Sequence, residues 1–289
     1  MEERQSGDGA ITCEMIRTGP VVPGAQPRAV GEVVLGVRAG ASGTALATLR
    51  QAGAFKALFP RPTVAALEAI LVNTAGGITG GDRFSTRAEA GAGSHLRLTT
   101  QAAERAYRAQ PGEVGRVTTR LSVEAGARID WLPQETILYD GSALDRRLVI
   151  DMAADARLLL VEPVIFGRAA MGEVLRAAAF RDRIAIDRDG VPLYRDGVAF
   201  TGDIAARLAR RGVGGGAGAM ASLVYVGADA EAHLAPLRDL LPAEAGASLI
   251  RPGVLALRLL APDGYDLRQA LVPALRRLTQ DALPRSWMT

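Results

Sequence analysis

Four carboxylates stand out in a chain of 289 residues that offers little else for chemistry. Asp82 directly follows four glycines in six positions, Gly76, Gly77, Gly80 and Gly81. Glu135 and Asp140 flank the short stretch Thr136–Tyr139, and Glu162 closes the apolar run Leu158–Val161 just before Pro163. Carboxylates so placed can hold a hard cation, move a proton, or accept hydrogen bonds inside the frame. Glycines packed this densely also suggest a phosphate cradle. That reading fails, because Asp82 is an anion where a P-loop carries lysine, and the only lysine, Lys56, lies upstream. The dinucleotide fingerprint Gly-x-Gly-x-x-Gly is not matched either. A tight, closely packed turn between strands fits the stretch.

Acid–base and nucleophilic chemistry find little support. Period two along the strand after Glu135 sends Glu135 and Asp140 to opposite faces, so that strand alone builds no dyad. Ser142 follows Asp140-Gly141 and lacks the Gly-x-Ser-x-Gly elbow. Of the two histidines, His95 falls on the polar face of an alternating strand and His233 at a helix start, and both read as solvated. Glu162 has the most apolar neighbours of the carboxylates. It is either hydrogen-bonded within the frame or serves a polar cavity.

Composition narrows the field further. With one cysteine, Cys13, and two histidines, the chain cannot assemble a soft-metal cluster. Any metal would meet carboxylates and carbonyls, or a second protein. One cysteine also excludes an internal disulfide framework and fits a reducing compartment. The start, Met1–Gly9, has no apolar segment of the signal-peptide kind, and no run of about 18 apolar residues occurs, so a cytoplasmic protein without a membrane span is expected. Net charge is +3 without a block of like charge, and aromatics are 4%, which argues against a nucleic-acid partner.

The elements that must position these residues are mostly strands. Residues 1–27 read as a mobile arm in which Ile11–Ile16 would add a strand, and 28–289 as one β-rich domain. Val33–Val37 and Thr44–Leu49 read as strands, the second half-buried, and the prolines at 60 and 62 end a ladder. Three strand–turn–strand units then recur about every thirty residues: Arg87–Thr99, Val123–Leu132 and Met152–Val161. Repeats of this kind predict stacked, β-helix-like layers. Val117–Val123 alternates, with Val117, Leu121 and Val123 inward. Gln101–Arg108 is the one helical candidate in the middle. Asp189-Gly190 and Asp196-Gly197 signal hairpins, and Gly212–Gly218 a loop. Helices are expected over Glu231–Leu241 and, capped by Asp263, over Tyr265 to about Leu278, with Pro273 kinking or splitting the latter. Trp287 near the end suggests a docked tail.

Several of these motifs together resemble the urease accessory protein UreD family, called UreH in some systems. They are Leu71–Phe84 with its Gly-Gly-Ile-Thr-Gly-Gly-Asp core, Leu98–Gln101 to Arg108, Trp131–Thr136 to Gly141, Gly167-Arg168 with Gly172-Glu173, and Pro284–Thr289. The resemblance runs in order from about Leu46 to the terminus. It implies a mainly β protein of layered, helix-like sheets with a few helices, mostly C-terminal. It further implies a non-enzymatic maturation factor that binds the accessory protein UreF, through it the GTPase UreG, and apo-urease. Nickel would then be transient cargo moving through an internal polar passage, with no tightly bound cofactor. Under that resemblance Asp82, Glu135, Asp140 and Glu162 are the candidate lining carboxylates, and Gly76, Gly77, Gly80 and Gly81 are structural. The competing reading is a small-molecule hydrolase or lyase on a β-helical frame using Asp/Glu pairs.

Overall fold

The structure is a computed structural model that describes residues 26–61 and 65–288. The expected arm, with Ile11–Ile16, lies outside the described residues except for 26 and 27, as does Pro62.

In chain order, β1 (Val30–Gly40), β2 (Gly43–Gly53), β3 (Phe55–Leu58) and β4 (Leu67–Asn73) precede the repeats. The first repeat holds β5 (Arg83–Ala90), β6 (His95–Thr100) and β7 (Glu104–Ala106). The second holds β8 (Gly115–Val123), β9 (Arg128–Leu132) and β10 (Thr136–Leu138), and the third β11 (Ala143–Met152) and β12 (Arg157–Phe166). After them come β13 (Ala178–Arg188), β14 (Val191–Gly202), the short helix α1 (Ile204–Leu208) and β15 (Ala219–Val226). The chain closes with α2 (Ala230–Leu240), β16 (Ala245–Arg251), β17 (Val254–Ala261) and α3 (Gly264–Thr279).

Each repeat is one coil of a solenoid. β5, β8 and β11 stack in parallel, with Arg83 opposite Arg116 and Arg116 opposite Asp145. β6, β9 and β12 stack in parallel in the second sheet, with His95 opposite Arg128 and Arg128 opposite Arg157. Among the described residues the first sheet has seven strands, β14-β13-β11-β8-β5-β1-β2. The second has ten and runs β16-β17-β15-β12-β9-β6-β4-β3, with β10 added beside β12 and β7 beside β10.

Strand alternation builds two cores. Leu96, Ile129 and Leu158, then Leu98, Trp131 and Leu160, form inward rows of the second sheet that face the first. The alternate residues Leu132, Leu159 and Val161 pack on the other side against Leu267, Leu271, Ala274, Leu275 and Leu278 of α3. The central strands of the second sheet are therefore covered on both faces, and all eight residues of β15 are buried. Helix α3 starts as its sequence requires: the Asp263 carboxylate accepts from the Asp266 N–H at 3.0 Å. The expected docked tail is present, with Trp287 buried beneath α3.

Several local expectations need correction. Gln101–Arg108 is not helical. An isolated eight-residue helix is marginal, and here its backbone is taken by neighbours: Glu104 N–H donates to Glu135 O at 2.8 Å and Ile78 N–H to Arg105 O at 2.7 Å. Asp189-Gly190 does make a two-residue hairpin, with φ of 51° and 73°. Asp196-Gly197 does not turn and lies inside β14, where Arg258 holds the Asp196 carboxylate at 2.6 Å. Pro273 does not split α3, whose buried stripe continues on both sides of it. The Thr44–Leu49 strand is mostly exposed, because β2 is the sheet's edge.

The glycine-dense stretch carries the chain from β4 in one sheet to β5 in the other. Gly76 and Gly81 have φ of 80° and 85°. A Cβ on Gly80 would lie 2.6 Å from the Glu113 Cβ. At Gly77, φ is 152° and a Cβ would lie 2.2 Å from the Tyr107 ring. Gly77→Ala is expected to cost about 1–3 kcal/mol, read as a lower urea midpoint with an unchanged slope.

Candidate functional site

The inward rows of three strands each contain one charged residue among apolar ones. In β11 the row is Leu144, Arg146, Leu148, Ile150; in β12 it is Leu158, Leu160, Glu162, Val164; in β13 it is Phe180, Asp182, Ile184, Ile186. Register places Arg146 beside Asp182 across the β11–β13 ladder. Glu162 faces them from the opposite sheet.

Arg146 bridges the two acids. Its guanidinium lies 2.8 Å from Glu162 Oε2, hydrogen-bonds Asp182 Oδ2, donates to the Thr136 hydroxyl at 2.9 Å, and sits 5.4 Å from the Phe180 ring centre. The other Glu162 oxygen accepts from the Trp131 indole N–H at 2.7 Å. Two carboxylates thus share one cation at a largely buried site. Burial pushes the Glu162 carboxyl above its ordinary range, Arg146 opposes this, and the Asp182 charge adds to the rise. For Arg146, burial alone would weaken its hold on the proton, but Asp182 and Glu162 hold it above its ordinary value.

These groups line a cavity of about 230 Å³ between the sheets. Thr86, Thr119, Thr136, Gln134 and Trp131 complete its inner wall, and it reaches the surface at Gly76, Gln101, Ala102 and Arg105. Glu104 stands near that mouth and accepts from the Asn73 amide at 3.1 Å. Its carboxyl is raised by burial and, more weakly, by the Asp82 charge. The Gln134 amide nitrogen is buried without a hydrogen-bond partner among the described residues.

Of the four carboxylates singled out in the sequence, only Glu162 lines the cavity. Asp82 is clamped by backbone, accepting from Ala29 N–H at 2.7 Å and Thr79 N–H at 2.8 Å. Glu135 pairs with Arg268 of α3 at 2.9 Å. Asp140 accepts from the N–H groups of Arg176 and Ala177 at 2.8 and 2.9 Å, bonds that hold its carboxyl below the ordinary range. Glu135 and Asp140 share no partner and form no dyad. Arg146, Asp182 and Glu104 were not singled out from the sequence, although a single charge within an alternating apolar row marks the first two. Among the described residues no group of three or more His, Cys, Asp and Glu gathers as a metal-holding cluster.

Neither histidine is a plain surface residue. His233 stacks edge-on against Tyr225 at 5.2 Å. His95 Nε2 lies 2.8 Å from the Asp130 carboxylate. Asp130 is fully buried on the face under α3, where it also meets Arg128 at 2.7 Å and Arg97 at 3.4 Å. Burial alone would raise the Asp130 carboxyl, but the His95 hydrogen bond, Arg128 and Arg97 together hold it far below its ordinary value. Arg128 in turn donates to Leu278 O in the last turn of α3 at 3.1 Å, a cation at the negative end of the helix.

Comparison with known proteins covers nearly the whole described chain. A family model described as UreD urease accessory protein matches residues 29–288. A protein of Ruegeria pomeroyi named urease accessory protein UreD is 57% identical over 244 residues, spanning 84% of this chain and 95% of its own length. One of the same name from Roseobacter denitrificans is 51% identical over 262 residues, 91% of this chain and 96% of its own. Another from Sinorhizobium medicae is 44% identical over 269 residues, 91% and 97% respectively.

Proposed function

The chain belongs to the family of UreD urease accessory proteins, and from that premise we propose that it is a non-catalytic urease maturation factor. In this reading it binds a UreF-like protein, through it a UreG-like GTPase, and apo-urease, and it passes nickel toward the urease active site through the cavity between its sheets. The observation that supports the reading best is the trio Glu162, Arg146 and Asp182. Each occupies an inward row that strand geometry reserves for the core, and the three face a cavity with Glu104 at its mouth.

Buried charge is costly and seldom improves stability, so a trio placed here fits a function. Carboxylate oxygens hold a late divalent transition metal less firmly than imidazole or thiolate would, which suits cargo that must leave again. Without a cation, Arg146 offsets one of the two acid charges. An arriving cation would take over Glu162 and Asp182 while Thr136 and Phe180 keep Arg146 in place. Asp82, Glu135 and Asp140 serve this route indirectly. Asp82 and Asp140 fix the turns beside the mouth, Glu135 anchors α3, and the Asp82 charge favours a cation near Glu104. No helix among the described residues is long and apolar enough to cross a membrane. Together with the single cysteine, this suits work in the cytoplasm, where the partners would meet it.

The test is urease activation in cells that co-express apo-urease and the partner proteins. Glu162→Gln is expected to lower activation about tenfold or more while stability stays within about 1 kcal/mol, since Gln still accepts from Trp131 and Arg146 keeps Asp182. Full activation would overturn the route. The raised carboxyls of Glu162 and Glu104 also fix a pH dependence. A protonated acid does not ligate, so nickel binding should weaken, and release more protons, as pH falls toward the raised carboxyl range. Titration calorimetry in buffers of different ionisation enthalpy checks this.

A further inference from the structure

Strand β7 sends its residues two ways. Glu104 and Ala106 turn inward, and Arg105 and Tyr107 turn outward and are exposed. Its neighbour β10 presents Ile137 beside Arg105, and Tyr139 follows. Arg105 lines the cavity mouth, and Arg105 and Tyr107 both lie at the surface there.

The residues there are held in place with unusual care. The Tyr107 ring meets Tyr139 edge-on at 5.0 Å, and the Arg168 guanidinium lies 4.2 Å from the Tyr139 ring centre. Arg168 is itself fixed by a two-pronged contact with Glu173, both bonds at 2.9 Å, and this pairing holds the Glu173 carboxyl down to about 2. Gly77 leaves room for the Tyr107 ring, and the Tyr107 hydroxyl donates to Gly76 O at 3.2 Å. Arg108 reaches Asp140 at 3.1 Å. Exposed ion pairs of this kind add little stability, so stability alone does not account for the array. Preordered tyrosine and arginine flanked by exposed Met171 and Val174 have the composition of a binding hot spot.

We propose that this corner, centred on Arg105, Tyr107, Tyr139 and Arg168, is the docking platform for an acidic segment of a partner protein. Charge decides the occupant. Arg105, Arg108, Arg168 and Arg176 all lie exposed on this corner. Arg108 and Arg168 pair with its carboxylates Asp140 and Glu173, so the four guanidiniums exceed these two acids by two charges. An arginine fork matches a carboxylate. A protein seated here would lie over the cavity mouth, so the platform deepens the reading above and rests on it for that partner's purpose, although the binding itself does not require nickel.

The test measures binding of purified UreF-like protein, UreF–UreG-type complex and apo-urease, each in turn, to wild-type protein, Arg105→Glu, Arg108→Glu, Tyr107→Ala and Glu162→Gln. All three surface changes are at exposed positions, and a thermal melt verifies folding. At least one partner should bind Arg105→Glu and Tyr107→Ala at least tenfold more weakly, with wild-type affinity falling steeply with salt. Glu162→Gln should bind like wild type. If it does so yet activates urease fully, the nickel route fails and the platform stands. If every partner binds the surface variants within twofold of wild type, or none binds wild type at all, the platform is wrong.

Discussion

Asp130→Asn is expected to destabilise the protein by about 3–5 kcal/mol, although the side chain keeps its shape. The loss arises because Asp130 is the shared anion of His95, Arg97 and Arg128, and Arg97 is almost fully buried. Removing the charge leaves two guanidinium groups under α3 without their shared anion, and Glu68 already lies in the field of both Arg97 and Arg285. Arg128 would then hold the last turn of α3 less firmly. The pH dependence carries its own sign. Because the folded carboxyl sits below its unfolded value, the stabilisation is complete above about pH 4 and is lost as pH falls through the depressed folded value. Wild type and variant should therefore differ fully at neutral pH and converge in acid. Urea titrations at pH 7 and below pH 4 check both points. Equal stability at pH 7 would contradict the account.

Trp287→Ala should cost about as much, roughly 3–5 kcal/mol, for a different reason. The indole fills the second core beneath α3, donates to Leu132 O at 2.9 Å and lies under Arg268 at 5.1 Å, while Arg268 also donates to the Trp287 carbonyl at 3.1 Å. Leu132 O keeps a second donor, the Thr99 hydroxyl at 2.7 Å. The cost is thus mainly the cavity left behind. Arg268 also donates to Gln134 and Glu135, beside the cavity wall, so loosening the tail should lower urease activation as well as stability. A chemical-denaturation midpoint measures the first effect and activation at a temperature where the variant remains folded measures the second.

The solenoid was legible because each corner announces itself. Small residues follow an alternating strand at Gly91–Gly93, Glu124–Gly126 and Ala153–Asp155, and the next strand begins at the same offset. The Asp263 cap of α3 and the apolar stripes of the C-terminal helices were legible for the same local reason. The short strand β7 was not, since Gln101–Arg108 is locally suited to helix and becomes a strand only through Ile78, Glu135 and β10, which lie far along the sequence. The site was half legible. Glu162 stands out in its apolar run, but Asp82 is held by backbone donors, and Asp140 by two backbone donors and Arg108, which no spacing rule reveals. Arg146 and Asp182 needed the register of β11 and β13 before two isolated charges became one pair. The alternating rows around them contained the signal, and only the ladder shows that the rows meet.

The most direct measurement is the nickel content per active site of urease purified from cells that express this protein together with its partners, once with wild-type protein and once with Glu162→Gln, both confirmed in complex with apo-urease. The account predicts near-full nickel with wild type and a several-fold deficit with the variant despite an intact complex. Equal nickel in the two samples would contradict it.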